Sequence, residues 1–558
     1  MLRLISRTIL FAGTAAVALA QGTAPSADLI VTNARIYTAD DTRPVVEAVA
    51  VAGGKVLFVG NTAGAMALKG AATRVLDLGG RTVIPGMMDA HGHVTGLGDA
   101  LHIVDLTGTT TYDEVVARVA ERAKKTPKGQ WVLGRGWDQN DWGDTRFPTH
   151  DKMSAAVPDH PVYIVRVDGH AGLANLKALQ AADVTAATQD PSGGHIERAA
   201  DGSPSGVFVD NAQGLVRRAI PRQTRDDVKR AILDAVREAQ RWGLTGVHDA
   251  GASATALDVY EELAKGGQMK FRLYAMISDD ARTIETWFKR GPLIDAFDGS
   301  LWVRSIKLYS DGALGSRGAA LLEPYSDDPK NIGLLVSAPA HIQDVATRAL
   351  KAGFQVNTHA IGDRGNRLVL DAYAAALKAA PTADHRFRVE HAQILNYDDV
   401  SRFATLGVIP SMQASHQTSD MYWAGARLGA QRLLGAYAWR SLLNTGVVVP
   451  NGSDFPVEHV NPLISFHSAV SRQDARDWPP GGWYPAERMT REEALKSVTI
   501  WAAYAGFQEK VLGSLTPGKY ADFVVLDQDI MRVPPELLLQ TRVLQTWVGG
   551  ARVYEAAP

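Results

Sequence analysis

Eight short apolar runs, each ending in a polar residue, alternate along this chain with amphipathic helical stretches. The runs are Thr82 to His93, Thr245 to Asp249, Phe271 to Ser278, Val303 to Asp311, Gln355 to His359, Phe387 to His391, Val408 to Gln413 and Val447 to Asp454. Strands that alternate with helices favour a parallel sheet, and eight such units are typical of a (β/α)8, or TIM, barrel. The sequence therefore predicts an α/β barrel whose site lies at the carboxyl ends of its strands.

The two ends of the chain differ from its middle. Short alternating strands separated by turn residues run from Asp28 to Val83, and similar strands return between Asp522 and Tyr554. We predict that both ends pair in a β-sandwich domain of residues 21–84 plus 512–558, beside a barrel of residues 85–511. Because the first two runs are unusually far apart, we also predict an inserted subdomain at about residues 97–222 after the first barrel strand.

Residues 1–20 are typical of a secretory signal peptide. Arg3 and Arg7 come before an apolar stretch that runs from Thr8 to Ala20. The last three residues of this stretch, Ala18-Leu19-Ala20, fit a signal peptidase site. Since the stretch is short for a membrane span, we expect cleavage after about Ala20 and a periplasmic or secreted protein without a stable membrane span. An uncleaved membrane anchor is the alternative.

The composition excludes several kinds of chemistry and partner. The 558 residues contain no cysteine, so disulfide bonds and thiol catalysis are excluded. The formal net charge is -2, and no stripe of basic residues alternates with aromatic ones, so nucleic-acid binding is not expected. Histidine, carboxylate and lysine side chains remain as the groups for chemistry on a small molecule. A homo-oligomer is left open.

Five of the polar residues near the ends of these runs are potential metal ligands: His91, His93, His359, His391 and Asp454. The first two are separated by one residue, so they point to the same side of an extended chain and can share an ion. Each ligand has an ordinary alternative: His91 and His93 as two polar residues at the start of a loop, and the other three, in chain order, as a core histidine, an imidazole paired with Glu390 and a carboxylate that caps the next segment. Together, however, they would leave costly unpaired groups at one barrel mouth without a metal.

Lys307 is the unusual residue among the run ends. A lysine that points into an apolar barrel is unfavourable unless something neutralises or pairs it. The reaction of its neutral amine with carbon dioxide would give a carbamate, an anionic group that can bridge two metal ions. The alternative is an ion pair between Lys307 and Asp311 or a neighbouring carboxylate.

Several motifs make the sequence resemble the amidohydrolase superfamily, and within it the family 3 branch that includes N-substituted formamide deformylases. The motifs are Val83-Ile84-Pro85-Gly86-Met87-Met88-Asp89-Ala90-His91-Gly92-His93, Gly134-Arg135-Gly136-Trp137-Asp138, Asp168-Gly169-His170-Ala171, Lys307-Leu308-Tyr309-Ser310-Asp311-Gly312-Ala313-Leu314-Gly315-Ser316-Arg317 and Gly518-Lys519-Tyr520-Ala521-Asp522. The resemblance implies a (β/α)8 barrel, a β-sandwich from both chain ends, and one or two divalent metal ions. Zinc is the usual metal, with manganese and iron as alternatives.

The resemblance also implies roles for individual residues. By position, it implies a more buried ion on His91 and His93, a second ion on His359 and His391, and a carboxylated, bridging Lys307. Asp454 would bind a metal and transfer a proton. His248, directly before Asp249, departs from the expected pattern, so we expect it to support the site or to contact the substrate.

The predicted activity is hydrolysis of a carbon-nitrogen amide bond, because a bound metal activates water and polarises a carbonyl group. Asp454 is the predicted proton carrier, and His170 the predicted group that holds the oxyanion or the substrate. The residues predicted to contact the substrate are Trp137, Asp138, His170, Tyr309 and Arg317. His170 has an alternative as a structural histidine, Trp137 as a core residue and Arg317 as a surface ion pair.

The substrate class remains broad at this point. N-substituted formamides and N-acyl amino acids are the proposed amides, and Arg317 is the group expected to bind a substrate carboxylate. Esterase or lactonase action on the same site is one alternative, since water attack on a carbonyl needs nearly the same groups. A catalytically silent binding protein is the other.

Overall fold

Eight parallel strands form a nearly closed barrel in the computed structural model, which describes residues 26–557. In chain order they are Met87–Gly92, Leu244–Ala252, Arg272–Ile277, Leu301–Tyr309, Gln355–Ala360, Arg388–His391, Ile409–Gln413 and Asn451–Gly452, and they are called the first to eighth barrel strands. Each strand pairs with its successor. Every predicted run overlaps one strand, so the predicted TIM-barrel fold is confirmed. The predicted signal peptide lies outside the described residues.

The eighth barrel strand lies beside the first at the mouth of the barrel. The backbone N–H of Asp454 donates to the carbonyl of His91 at 2.7 Å, and the N–H of His93 donates to the carbonyl of Phe455 at 2.8 Å. Asp454 has a left-handed backbone conformation, with φ of 58°. Residues other than glycine adopt this conformation only where the surrounding structure stabilises it. These contacts bring Asp454, the last predicted ligand in the chain, next to His91 and His93, the first two.

Helices connect the barrel strands and cover the barrel. The longer α-helices outside the inserted subdomain are Arg225–Arg241, Ala254–Lys265, Ala281–Arg290, Pro339–Ala352, Asp363–Ala379, Tyr397–Leu406, Ala424–Leu433 and Pro462–Ser471. Shorter ones are Thr62–Met66, Val94–Ala100, Ala414–Asp420, Trp439–Leu443, Arg491–Ser497 and Ile500–Ala505. Arg225–Arg241 shows how the sequence sets such a helix, because Thr224 and Asp227 form a capping box at its start. Gly243, with φ of 86°, follows its end.

Strands from both chain ends form a second, eight-stranded sheet. Its order is Ala551–Glu555, Val543–Val548, Phe523–Leu526, Lys69–Pro85, Ala27–Tyr37, Ala48–Ala52 and Lys55–Gly60, with Val45–Val46 paired to Ala27–Tyr37. A buried ion pair between Arg272 and Asp522, at 2.8 Å, links this sheet to the barrel. The pairing of the two chain ends follows the sequence prediction.

The inserted segment between the first and second barrel strands folds around a third sheet. Its six strands are ordered Gly194–Arg198, Pro204–Asp210, Ala171–Ala174, Val162–Arg166, Val132–Trp137 and Val104–Asp105. The helices of this segment are Tyr112–Ala123, Asp151–Ala156, Leu176–Ala181 and Gly214–Arg217. Its apolar residues form clusters of their own, so the segment has its own core and reaches the barrel mouth as a unit.

None of the helices within residues 26–557 combines the length and the apolar character that crossing a bilayer requires.

Candidate metal centre

The predicted ligands come together at the carboxyl ends of the barrel strands. They border a cavity of about 950 Å³, lined by His93, Lys307, His359, His391 and Asp454. His91 is fully buried beneath it. The carboxyl ends of parallel barrel strands meet at one face, so residues that are hundreds of positions apart in the chain become neighbours.

Asp454 lies between the two histidines of the first barrel strand. Its Oδ1 is 2.9 Å from Nε2 of His93 and 3.5 Å from Nε2 of His91. Nζ of Lys307 is 3.0 Å from the same Nε2 of His91. His91, His93 and Asp454 each offer one ligand atom, and these atoms lie within 4.8 Å of one another.

His359 and His391 form the other side of the centre. Their ring centroids are 4.6 Å apart, and the ring of His391 is 4.9 Å from that of His91. Nδ1 of His391 is 2.7 Å from Oε1 of Gln413, so its Nε2 remains free for another partner. The alternative pairing of His391 with Glu390 is therefore wrong.

His416 is a member of this centre that the sequence reasoning missed. It lies on helix Ala414–Asp420, three positions after Gln413, where the predicted seventh run ended. His391, His416 and Asp454 form a second group whose ligand atoms lie within 4.8 Å of one another. The signal was present in the sequence, since a histidine directly follows a predicted strand end, but no pattern linked it to the other ligands.

The donor atoms at this centre fit a divalent metal ion. Imidazole nitrogen and carboxylate oxygen are ligands that zinc and related ions take in proteins. Among the described residues, Nε2 of His416 is buried without a hydrogen-bond partner, while Oδ1 of Asp454 has the imidazoles of His93 and His91 beside it. Leaving a nitrogen atom buried and unpaired is unfavourable, and a metal ion bound by the group His391, His416 and Asp454 would satisfy it.

The pKa shifts favour the ligand forms of these side chains. Burial, together with the charge of Lys307, lowers the pKa of His91 to about 4, so its imidazole is neutral. Burial raises the pKa of Asp454, but His93, His91 and His391 outweigh it and hold that pKa well below its usual range. Burial lowers the pKa of Lys307 to about 8, so a larger fraction of its amine is neutral near physiological pH than for an exposed lysine.

Behind His91 a buried chain of polar contacts runs through the barrel. Nδ1 of His91 contacts Oε2 of Glu390, and Nη2 of Arg388 donates to the same oxygen at 3.0 Å. Nη1 of Arg388 donates to Nδ1 of His248 at 2.8 Å, and Nε2 of His248 is 3.3 Å from Oε1 of Gln508. His248 therefore supports the centre through Arg388 and Glu390 and is absent from the lining of the cavity.

Lys307 does not form the ion pair with Asp311 that was the alternative to a carbamate. The Asp311 carboxylate instead accepts backbone hydrogen bonds from Ala320, Ile361 and Gly362 at 2.8–3.0 Å. Lys307 keeps its amine next to His91, with Nζ 4.9 Å from the ring centroid of Tyr309. Tyr309 lines the cavity, and its contact with a substrate stays a prediction.

His170 faces His359 from the inserted segment. Their ring centroids are 5.1 Å apart, and both residues line the cavity. Nδ1 of His170 is 2.6 Å from Oδ1 of Asp210, whose carboxylate packs tightly against Gly312 and Gly318. A Cβ at either glycine would lie within 2.5 Å of Oδ2 of Asp210, so only glycine fits beside it. Asp210 therefore orients His170, a role that the sequence alone did not indicate.

Asp138 lines the cavity as predicted, and its carboxylate contacts the buried guanidinium of Arg166. Arg166 also contacts Asp168 at 2.5 Å and Gln139 at 2.8 Å, so its three nitrogen atoms are all engaged. These contacts hold the two motifs of the inserted segment together at the cavity.

Two predicted substrate contacts lie elsewhere. Trp137 is fully buried in the core of the inserted segment, where its Nε1 donates to the carbonyl of Ile164 at 3.1 Å. Arg317 is outside the cavity lining and pairs with Asp327 at 3.0 Å. The prediction that these two residues contact the substrate is therefore wrong. Trp137 is a core residue, and Arg317 forms an ion pair.

The barrel and its cluster of histidine and aspartate ligands define the class of metal-dependent hydrolases. The model of the Amidohydrolase family matches residues 74–554, so the chain belongs to the amidohydrolase family. It is 35% identical over 541 residues to the Arabidopsis thaliana protein LONG AFTER FAR-RED 3, covering 95% of this chain and 92% of that protein. It is 30% identical over 542 residues to N-substituted formamide deformylase of Arthrobacter pascens, covering 95% and 98% of the two chains.

Solved structures agree with this assignment. The crystal structure of an uncharacterized metal-dependent hydrolase from Pyrococcus horikoshii superposes with a TM-score of 0.74 at 26% sequence identity. The match covers 91% of this chain and 99% of that chain. The inserted segment and the terminal sheet are therefore shared in outline with a protein of the same class.

Proposed function

We propose that this protein hydrolyses the carbon-nitrogen bond of a small-molecule amide at a site that holds one or two zinc ions. The observation that carries this proposal is the pair of ligand groups that share Asp454. When bound, a divalent metal supplies a Lewis acid for the carbonyl group and lowers the pKa of a coordinated water molecule.

The proposed ligands divide into two sets. The more buried ion would be held by His91 and His93 with Asp454, and the other ion by His391, whose ligand atom lies within 4.8 Å of those of His416 and Asp454, together with the neighbouring His359. The neutral amine of Lys307 would add to carbon dioxide and lose a proton, and the resulting carbamate would offer an anionic metal ligand beside His91. The depressed pKa of Lys307 and its 3.0 Å distance from His91 support that modification.

Asp454 and His170 are the proposed catalytic residues. Asp454 takes the proton of the attacking water and returns it to the leaving nitrogen, which suits a carboxylate that stays ionised at neutral pH. His170 approaches from the opposite wall, with Nδ1 held by Asp210 and the other nitrogen free to donate to the substrate oxygen. Asp138 and Tyr309 contact the substrate from the cavity wall.

We further propose N-substituted formamides or N-acyl amino acids as substrates, in the periplasm or outside the cell. The first class rests on the name of the Arthrobacter pascens relative, and the location on the signal-like residues up to Ala20. N-terminal sequencing of the exported protein checks the proposed cleavage site.

The experiment combines elemental analysis of the purified protein with a panel of N-formyl and N-acetyl amides and their matched esters. We expect one or two equivalents of zinc per chain, amide hydrolysis that a chelator abolishes, and recovery on adding zinc. Full activity after chelation with less than one metal per chain would refute the proposal. Much faster turnover of every ester than of its amide would replace amide hydrolysis with ester hydrolysis.

A further inference from the structure

Arg135 is a cavity residue to which the proposed reaction gives no role. It lies on strand Val132–Trp137 of the inserted segment and lines the cavity beside His170. Its guanidinium rests over Gly169, where a Cβ would lie 3.5 Å from both Nη1 and Nη2. Gly169 has φ of 78°, so the chain turns here in a conformation that brings the guanidinium next to the proposed oxyanion donor.

The charge of Arg135 has no carboxylate partner in residues 26–557. Nη2 donates to the carbonyl of Val167 at 2.7 Å, while Nε is buried and makes no hydrogen bond. Arg166, on the neighbouring strand, contrasts with it, because Arg166 contacts both Asp138 and Asp168. A buried guanidinium without a counter-charge is unfavourable, and a bound anion would remove that cost.

Arg217 is a second arginine that lines the cavity. Its Nη2 donates to Oε1 of Gln213 at 2.8 Å, and it forms no ion pair with any carboxylate that the structure describes. Nε2 of the same Gln213 donates to the carbonyl of Gly169 at 2.9 Å, and Gly169 is the residue over which the guanidinium of Arg135 lies. Gly169 and Gln213 therefore connect the two arginines on the cavity wall.

We propose that Arg135 and Arg217 form an anion-binding subsite that takes a carboxylate group of the substrate, which makes the substrate an N-acyl amino acid or a similar anionic amide. The inference rests on the proposed amide hydrolysis and narrows its substrate class. A guanidinium binds a carboxylate through two parallel hydrogen bonds, and the guanidinium of Arg135, which lines the cavity without a carboxylate partner, supplies such donors. Arg317, the arginine expected in this role from the sequence, is engaged by Asp327.

The test uses two formamides that differ only by a carboxylate: N-formyl-phenylalanine, in both enantiomers, and N-formyl-2-phenylethylamine. Binding is measured by calorimetry on the zinc-loaded Asp454→Asn protein, in which turnover is suppressed. We expect one enantiomer of the carboxylate compound to bind at least about tenfold more tightly than the neutral compound. Adding Arg135→Gln should remove that preference, while Arg135→Lys should retain part of it.

Arg146→Gln is the matched control, because Arg146 lies in the same inserted segment, is highly exposed and pairs only with Asp144. It should leave the preference intact. Equal affinity for the charged and neutral compounds, including a failure of both to bind at millimolar concentration, would overturn the subsite. So would a preference that survives Arg135→Gln.

Turnover by the zinc-loaded wild-type protein separates this proposal from the proposed function. Hydrolysis of both formamides with equal KM values would leave amide hydrolysis standing and overturn the subsite. Selective binding of the carboxylate compound without hydrolysis of any amide in the panel would support the subsite and overturn amide hydrolysis.

Discussion

The barrel mouth and the inserted segment meet at one cavity, yet they are built from the sequence in different ways. At the mouth, each proposed ligand lies at or just beyond the carboxyl end of a barrel strand, and five of them line the cavity. In the inserted segment, the residues that line the cavity come from both strands and loops of a sheet with an irregular strand order. Trp137 and Asp138 are adjacent in sequence, but only Asp138 reaches the cavity.

In a repeated strand-helix unit, the position of each strand end follows from the order of the strands. In the single inserted sheet, the strand order does not determine which residues reach the cavity. In the barrel, parallel strands in sequential order bring all carboxyl ends to one face. In the inserted segment, the position of Arg135 depends on how Gly169 turns and on the pairing of Arg166 with two carboxylates. The barrel end should therefore supply the metal ligands and the proton carrier, and the inserted segment should supply His170 and the residues that select the substrate.

The strongest test of this division is Asp454→Asn. The amide cannot take a proton from water, so we expect kcat to fall by about 10³-fold, near the middle of the range for a lost general base. At least one zinc per chain should remain, because the histidine ligands are unchanged. Steady-state kinetics and elemental analysis on the same preparation check both points. A kcat within tenfold of wild type would remove Asp454 from the proton-transfer role.

Glu390→Gln tests whether the chain of contacts behind His91 belongs to the metal centre. The charged acceptor for Nδ1 of His91 is lost, so we expect zinc affinity to fall by about 10- to 100-fold. Competition with a chromophoric chelator measures the affinity without any turnover. Glu261→Gln is a control, since Glu261 is a surface residue paired with Arg290. Unchanged zinc affinity in Glu390→Gln would show that the contact is structural.

More of the barrel mouth than of the inserted segment could be predicted from the sequence. The barrel strands and the ligands could be placed from local patterns, because each ligand lies within a predicted run or at its end; the ligands are His91, His93, Lys307, His359, His391 and Asp454. His416 escaped because it lies one helical turn beyond Gln413, on the following helix. Period-two patterns do not extend into a helix, so its side chain could not be assigned to the barrel mouth.

Long-range partners were beyond the reach of the sequence. His170 was identified from its motif, but Asp210, which orients it, is 40 positions away on another strand. Glu390 was recognised only as a neighbour of His391, while its partner His91 is 299 positions away. An arginine that already pairs with a carboxylate is a poor candidate for an anion site, and Arg166 and Arg317 are paired in this way. Such pairs form only in the folded chain, so the sequence did not reveal them.

Trp137→Phe sharpens the comparison at the inserted segment. The indole is fully buried and donates to the carbonyl of Ile164, so we expect the change to lower the free energy of unfolding by about 1–3 kcal/mol. KM for amide substrates should change less than twofold, since the side chain does not line the cavity. Urea unfolding and steady-state kinetics measure the two effects. A large rise in KM without loss of stability would return Trp137 to the substrate pocket.

Arg317→Gln should have the smallest effect of the series. Arg317 pairs with Asp327 at a partly exposed position, and such pairs contribute at most about 1 kcal/mol. Asp327 keeps a second partner in Arg427, so the carboxylate is not left without a counter-charge. We expect KM for N-formyl-phenylalanine to stay within about twofold of wild type, in contrast to the loss of binding expected for Arg135→Gln. Arg317→Gln could instead weaken binding of the carboxylate substrate as much as Arg135→Gln does. In that case the loop after the fourth barrel strand, rather than the inserted segment, would select the substrate.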